Sequence, residues 1–370
     1  MISSAIIPQP LARLPWRLIW LVALICTIGI ITLFSAAGGS WSPWALKQGI
    51  TILGFFGLAI GISYIPESFV KQVTFPTYVV ILIMLIIVEM VGFVGKGAQR
   101  WIDLGFIRLQ PSEFMKPGVV LVLARFYDLL PAADVRRWRG LWPAAALVLV
   151  PWALILVQPD LGTATMVLVG GVTVMFVAGL PMWYFLSAGA GLAAALPVVY
   201  AFMHDYQRKR VLIFLDPEAD PLGAGYHISQ SKIAIGSGGI WGKGYLNGSQ
   251  SHLDYLPEGH TDFVFATFVE EWGLVGGVML IIAFAMVVRW GMNVSKKART
   301  PFSQLAAAGL SMTVFFYFTV NLMMVMGLAP VVGIPLPLVS FGGSAVMTVM
   351  ICLGLLMGIE RQSRTRSSLA

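Results

Sequence analysis

The chain has 370 residues, of which 58% are hydrophobic and 39 are glycine, while only 11% are charged. A soluble domain contains about 25% charged and about 45–50% apolar residues. This composition excludes a soluble globular enzyme, because the polar residues could not cover its surface. It also excludes disorder, which requires low hydrophobicity. The net charge of +7 does not indicate nucleic acid binding, because the basic residues are scattered over many loops.

Ten windows are apolar over about the 20 residues that a membrane helix needs. They lie near residues 18–36, 48–65, 77–95, 113–130, 141–157, 162–180, 183–203, 263–289, 302–327 and 338–359. The apolar runs are continuous, so helices rather than a barrel are predicted. We expect an all-α integral membrane protein with about ten transmembrane helices. Residues 1–370 would form one polytopic domain, with a large outer loop at about 205–262 between helices 7 and 8.

The first window follows Arg13 and Arg17, as a signal peptide would. Its apolar run of about 19 residues exceeds the 7–15 residues of a signal sequence, so a retained helix is predicted. With a cytoplasmic amino terminus, 14 of the 24 basic residues fall on the inner side, as the positive-inside rule requires. Both termini are then cytoplasmic. The outer side carries ten acidic and ten basic residues, which predicts a functional site there; for 216–220 a solvated loop is the simpler interpretation.

The polar motifs at the predicted helix ends each allow two interpretations. Ser112 is a candidate N-cap of the fourth span. Glu113 and Lys116 share one helical face, either as a snorkelling pair or as part of a site. Asp160, between the fifth and sixth spans, is either a helix cap or a site residue.

Three further carboxylates mark the eighth span. Asp262 stands where the outer loop enters this span, either as a cap or as a carboxylate at the membrane edge. Glu270 and Glu271 follow eight and nine residues later, which on a continuous helix places them about 12–13 Å deeper. Carboxylates at such depth are costly and are usually functional or paired.

Basic side chains predicted on the outer face could hold a phosphate or a diphosphate. They are Lys96, Arg100, Lys116, Arg208, Lys209 and Arg210. Contact with anionic lipid headgroups is the alternative. The four histidines show no metal spacing, and the two cysteines, Cys26 and Cys352, fall in predicted spans. Neither a zinc site nor a disulfide is therefore expected.

Several segments taken together are specific. KGAQRWIDLG, QPSE, QPDLGT, DPLGAGYH, QSKIAIGSGG, LPEGHTDF and PLPLVSFGGS occur in this order between about residues 90 and 345. They resemble the SEDS family of shape, elongation, division and sporulation proteins. The GAGYH and SKIAIGSGG segments look more like those of the elongation members than those of the division members.

The resemblance implies a peptidoglycan glycosyltransferase of the bacterial cytoplasmic membrane that polymerises lipid II on the outer face during cell elongation. It implies a class B penicillin-binding transpeptidase and other elongation-complex membrane proteins as partners. Asp262 is the implied catalytic residue. The implied substrate-binding residues are Lys96, Arg100, Glu113, Lys116, Asp160, Arg208, Arg210 and Lys232. No cofactor is evident, although a divalent cation would suit a diphosphate substrate.

The chemistry fits these roles. A carboxylate at a wet membrane edge can act as a base toward an acceptor hydroxyl, and a single displacement would invert the donor sugar. One alternative is the division-specific role within the same family. Another is a lipid II flippase, for which Glu89, Glu270 and Glu271 would form a polar path. A third is a scaffold that only positions other wall enzymes.

Overall fold

The computed structural model describes residues 14–91, 93–95, 98–103, 108–202, 208, 212–214, 216, 223–253, 255–256 and 258–367. Within these residues the chain is built almost entirely from helices. In chain order they are α1 (Trp16–Ala36), α2 (Ala45–Ser63), α3 (Glu67–Val91), α4 (Pro111–Leu129), α5 (Ala132–Val135), α6 (Trp138–Val157), α7 (Leu161–Val177), α8 (Met182–Phe202), α9 (Ala224–Gly238), α10 (Ser249–His252), α11 (Val264–Lys297), α12 (Pro301–Val325) and α13 (Gly343–Ser367).

Each of the ten predicted windows overlaps one of the long helices. Seven of them, α1, α2, α3, α6, α11, α12 and α13, are long and apolar enough to cross a membrane. Of the other three, α4 carries four charged residues, α7 has only 17 residues, and the apolar part of α8 is 182–195. The prediction of a multi-pass helical membrane protein is confirmed. The count of ten crossings and the single domain over 1–370 stay predictions.

Helices α4 and α12 both lie at the centre of the bundle. Helix α12 packs against α4, α7, α11 and α13, and α4 packs against α3, α6 and α7, while α13 runs along α2. Small residues allow these close approaches. A Cβ placed on Gly309 of α12 would lie 2.6 Å from side-chain atoms of both Val120 and Val174. The centre of the bundle therefore lies where α4, α7 and α12 meet.

The connection from α3 to α4 is a small antiparallel sheet. Its strands are β1 (Phe93–Gly95), β2 (Ala98–Asp103) and β3 (Arg108–Leu109), in the order β1-β2-β3. Phe93 pairs with Trp101, and Ile102 pairs with Leu109. This sheet carries Arg100 on its central strand.

Helix α11 is broken at Gly273, whose φ of 67° and ψ of −169° are not helical. A Cβ on Gly277 would lie 3.5 Å from the Phe265 ring and 3.0 Å from the Val269 side chain. On a straight helix, Phe265 and Gly277 would be about 18 Å apart. The first segment of α11 therefore folds back onto the second.

The segment 239–244 fits into this break and satisfies its backbone. Two of its N–H groups donate to the last carbonyls before the break, and two N–H groups after the break donate to its carbonyls. The bonds are Lys243 N to Glu270 O (3.0 Å), Gly244 N to Glu271 O (3.1 Å), Leu274 N to Gly239 O (2.9 Å) and Val275 N to Ile240 O (3.2 Å). A polar backbone near a membrane requires such internal partners. The predicted outer loop is thus partly structured, and its helix α9 packs on α11 and α12.

Replacement of Gly273 tests the fold-back. A Cβ there would lie 2.3 Å from Gly242 N and 2.4 Å from Ile240 O at a positive φ. We expect Gly273→Ala to lower the free energy of unfolding by about 2–4 kcal/mol, from backbone strain and overpacking. Thermal unfolding in detergent measures the change. The control is Gly57→Ala, because a Cβ at Gly57 would have no neighbour within 4 Å. Equal melting temperatures for the two variants would contradict the fold-back.

Candidate active site

The two ends of the bundle differ. At one end α4, α7, α11 and α13 begin and α1, α3, α6 and α12 end; we call this the site end. At the other end α1 and α12 begin and α11 and α13 end; we call this the basic end. The outer-face residues predicted for the site fall at the site end wherever the structure describes them.

A buried charged cluster lies in the first turns of α4. Lys116 Nζ is 2.6 Å from Glu113 Oε1 and 2.5 Å from the Tyr317 hydroxyl oxygen. The hydroxyls of Tyr317 and Thr348 donate to Glu113 Oε2, the latter at 3.1 Å. The side chains of Lys116 and Glu113 are only 1% and 8% exposed. The snorkelling interpretation is therefore wrong, because neither charge reaches water by extending away from the bundle.

Asp160 joins the start of α7 to the start of α4. Its Oδ1 accepts a hydrogen bond from Thr163 N at 3.1 Å, which confirms the helix cap. Its Oδ2 accepts from Gln110 Nε2 at 3.0 Å, and Gln110 directly precedes α4. The predicted Ser112 cap is wrong: α4 begins at Pro111, and the buried Ser112 hydroxyl has no hydrogen-bond partner in the described part of the chain.

Arg100 closes the end of α6 beside Asp160. Its Nε donates to Gln158 O at 3.0 Å, and its Nη2 donates to Pro159 O. These carbonyls belong to the end of α6, where helices leave acceptors without partners. Arg100 therefore sits at the α6–α7 junction, where it contacts Pro159, the residue directly before Asp160.

Asp262 is held by its backbone on α12. Asn321 Nδ2 donates to Asp262 O at 2.8 Å and to Ile334 O at 2.7 Å. The residue directly before α11 is Phe263, whose side chain does not cap the helix. Asp262 lies one residue earlier, and its side chain is half-buried.

The residues next to Asp262 are fixed to the loop 326–342. Ser340 Oγ donates to Thr261 O at 2.5 Å, and Phe341 N donates to His260 O at 2.9 Å. The His260 ring stacks on Trp44 with 4.1 Å between ring centroids. The short segment before α11 is thus held both by the loop 326–342 and by Trp44.

Asp262 and the Lys116 cluster share one face of α12. Asn321 follows Tyr317 by four residues, so the two side chains lie one above the other, about 6 Å apart along the helix axis. Asn321 holds Asp262, and Tyr317 holds Glu113 and Lys116. The two α12 residues that contact the Asp262 backbone and the buried ammonium group are therefore one helical turn apart.

The loop 326–342 connects Asp262 with the Asp160 side of the site. A Cβ on Gly162, next to this cap, would lie 2.8 Å from Val332 O. A Cβ on Gly333 would lie 3.6 Å from Asp262 Oδ2. One loop thus touches both regions that carry the predicted carboxylates.

The other predicted binding residues are placed less centrally. Lys232 is exposed on α9, and its Nζ lies 3.1 Å from the Cβ position of Gly327, where the loop 326–342 begins. Arg208 donates to the carbonyls of Tyr200, at 3.1 Å, and Ala201, so its contacts among the described residues are at the end of α8. Lys96 and Arg210 lie outside the described residues, as does Lys209.

The two adjacent glutamates of α11 belong to the fold-back. Glu270 Oε1 is 2.6 Å from Lys243 Nζ and accepts from Ser249 Oγ and Gln250 N at 3.2 and 3.0 Å. Glu271 accepts a hydrogen bond from Ser35, next to the last residue of α1.

Both glutamates therefore lie near the site end, and their predicted position deep in the membrane is wrong, because α11 is not straight. Glu89 is exposed two residues before α3 ends. In these positions the three acids do not line a polar path through the bundle, which a flippase would need.

The site offers few ligands for a resident metal ion. Among the described residues, no three His, Cys, Asp or Glu side chains converge as metal ligands.

Comparison with known proteins identifies the class. Residues 16–365 match the family of cell cycle proteins FTSW_RODA_SPOVE. The chain belongs to this family of multi-pass membrane proteins, which confirms the resemblance seen in the sequence.

Two curated relatives cover nearly the whole chain. Peptidoglycan glycosyltransferase MrdB of Escherichia coli is 42% identical over 355 residues, 95% of each chain. Stage V sporulation protein E of Bacillus subtilis is 33% identical over 94% of this chain and 97% of its own.

Solved structures agree with the fold. One, from a study of polymerization and crosslinking by a peptidoglycan synthase complex, has a TM-score of 0.82 at 33% identity, covering 95% of this chain and 98% of its own. The rod shape determining protein RodA of Thermus thermophilus has a TM-score of 0.70 at 28% identity, covering 94% and 97%.

The coupling of Glu113 with Lys116 can be measured. We expect Lys116→Met to lower the free energy of unfolding by about 3 kcal/mol or more, because it leaves a buried carboxylate unpaired. The double variant Glu113→Gln/Lys116→Met should lose less than the sum of the two single variants. Unfolding in detergent gives all three values.

The matched control is the exposed pair of Asp134 and Arg137, at 3.3 Å. Asp134→Asn/Arg137→Met should change the free energy by at most about 1 kcal/mol. Additive losses at Glu113 and Lys116 would show that the two charges do not depend on each other.

Proposed function

We propose that this protein polymerises lipid II into glycan strands with Asp262 as the base. The enzyme is a peptidoglycan glycosyltransferase, as its 42% identity to MrdB over 95% of the chain indicates. One observation supports the role of the site above all others: Asn321, which holds the Asp262 backbone, and Tyr317, which holds the Lys116 cluster, are one turn apart on a single face of α12.

The reaction requires a base and a positive charge near the leaving group. A sugar hydroxyl of one lipid-linked chain attacks the anomeric carbon of the other. The bond from that carbon to the diphosphate oxygen breaks, and its electron pair stays on the diphosphate. The hydroxyl proton passes to the Asp262 carboxylate, which must come within hydrogen-bond reach. A single displacement of this kind inverts the donor sugar.

Positive side chains offset the charge that builds up on the diphosphate. Lys116 is held in place by Glu113 and Tyr317, so its ammonium group needs no rearrangement when the substrate arrives. Arg100 is fixed at the end of α6. Lys232 is exposed above the loop 326–342 and can reach a diphosphate at the surface. Arg208, together with Lys96 and Arg210, would extend this positive surface.

A divalent cation would share the diphosphate with these side chains. Asp160 is already occupied by two hydrogen bonds, and Glu113 by the Lys116 cluster. Because both carboxylates already have partners, the site suits a cation that arrives bound to the diphosphate better than a resident cation. Polymerisation after exhaustive chelation measures its contribution.

The charges of the two ends indicate the orientation. Described basic residues at or near the basic end are Arg17, Lys71, Arg125, Arg136, Arg137, Arg139, Arg289, Lys296, Lys297, Arg299, Arg361 and Arg364. By the positive-inside rule this end faces the cytoplasm. The site end then opens outside the bacterial cytoplasmic membrane, both termini are inside, and the polyprenyl chain of the substrate stays in the bilayer.

The partner we propose is a class B penicillin-binding transpeptidase, which would crosslink the strands. The similarity to a chain from a peptidoglycan synthase complex supports this pairing. The similarity to a rod shape determining protein supports a role in elongation together with other membrane proteins of that process. Polymerisation of labelled lipid II with and without the transpeptidase tests the pairing.

Removal of the base tests the mechanism. We expect Asp262→Asn to lower the polymerisation rate at least 100-fold, the typical contribution of a general base. The assay follows labelled lipid II in vesicles, with Asp216→Asn as control, because Asp216 is an exposed acid of the same outer region. Full-length glycan from Asp262→Asn would contradict the role, and lipid II that crosses the bilayer without polymer would favour transport instead.

Asn321 tests whether the position of Asp262 matters. We expect Asn321→Leu to reduce kcat by about 10- to 100-fold with little change in KM, because a small misplacement of a catalytic group is costly. Gln304→Leu is the control, since Gln304 Nε2 likewise donates to a carbonyl, Ala298 O, at the opposite end of α12. Similar stability losses but unequal kcat would support the positioning role. Equal kcat in the two variants would reject it.

A further inference from the structure

A cavity of about 820 Å³ opens at the basic end, away from the active site. Its walls come from the first turn of α1, the last turns of α11 and the last turns of α13. Residues of these three helix ends line the cavity. The glycosyl transfer described above uses none of them.

The cavity is strongly basic. Four cations line it: Arg17, Lys297, Arg299 and Arg364. Its one carboxylate, Glu360, is paired with Arg364 at 2.5 Å. Among the described residues, Arg17, Lys297 and Arg299 have no carboxylate within 4.0 Å. Three positive charges are therefore left for a ligand.

The remaining lining places the cavity at the membrane surface. Trp16 and Trp290 border it, and tryptophan is enriched where headgroups meet the hydrocarbon. Leu14 and Val294 supply apolar wall, and Asn293 supplies a polar side chain. Cations, an amide and apolar surface thus occur together, as a phosphodiester and its glycerol would require.

The positive-inside rule explains why basic residues are frequent at this end, but it does not explain why they surround a cavity. Arg136, between α5 and α6, and Arg139, in the first turn of α6, satisfy the same rule. Arg17, Lys297 and Arg299 come from parts of the chain about 280 residues apart and still face one space. Basic pockets between membrane helices on the cytoplasmic side bind anionic headgroups.

We propose that this cavity binds the phosphodiester headgroup of one anionic phospholipid in the leaflet at the basic end. The lipid bridges the ends of α1, α11 and α13, whose like charges would otherwise repel one another. It is a lipid rather than a soluble anion because the cavity combines the cations with tryptophans and apolar wall at the membrane surface.

Native mass spectrometry of the full-length protein, titrated with phosphatidylglycerol or phosphatidylcholine, tests the site. We expect one tightly bound phosphatidylglycerol and no comparable phosphatidylcholine. Arg17→Ala/Arg299→Ala should weaken phosphatidylglycerol binding by about 30-fold, the loss expected for two surface cations. The control Arg136→Ala/Arg139→Ala removes the same charge at the same end and should change binding less than twofold.

Three results would overturn the proposal. Unchanged binding in Arg17→Ala/Arg299→Ala would show that the cavity is not the site. An equal loss in the control would show that only the overall surface charge attracts the lipid. Displacement by millimolar inorganic phosphate would indicate a site for free phosphate. If the double variant does not fold in lipid-free detergent, Lys297→Ala replaces it, with about a fivefold loss expected.

Discussion

The fold-back of α11 at Gly273 determines where Asp262, the proposed base, lies. A straight helix over Val264–Lys297 would be about 51 Å long, well beyond the roughly 30 Å of a bilayer core. Asp262 would then stand far above the bundle. Because the first segment returns along the second, Asp262 comes down to Asn321, four residues before the end of α12.

The fold-back in turn depends on chain that packs outside the long helices. The segment 239–244 supplies the backbone partners at the break, and Lys243 adds an ion pair with Glu270. Glycine at 273 is required because its neighbours approach within 2.4 Å of any Cβ. This segment of the predicted outer loop is therefore what makes the break stable. Helix α9 of the same outer loop also brings Lys232 beside the loop 326–342.

The sequence predicted some local relations correctly, although not the Ser112 cap, and it predicted distant relations poorly. The pairing of Glu113 with Lys116 and the cap formed by Asp160 follow from spacing along one helix, and both were predicted. Tyr317 was missed, because one aromatic residue in an apolar span gives no signal of a polar partner some 200 residues away.

Asn321 could have been found, since an amide inside an apolar helix needs a partner wherever it lies. The depth of Glu270 and Glu271 could not have been predicted from the sequence. Hydropathy shows that each segment is apolar, but it does not show the angle between two segments. The residues that decide the site are thus the ones whose partners are remote in the chain.

The buried pair of Glu113 and Lys116 is better explained by chemistry than by stability. Replacing a buried ion pair by apolar residues is often neutral or stabilising, because removing two charges from water is costly. The surrounding α4 and α12 are otherwise densely apolar, so a hydrophobic pair could have filled this space. Tyr317 and Thr348 donate to the carboxylate, and Lys116 donates to both Glu113 and Tyr317, so its ammonium group is held in one position. A fixed positive charge near the departing diphosphate is what the proposed reaction requires, and a stable bundle alone would not need it.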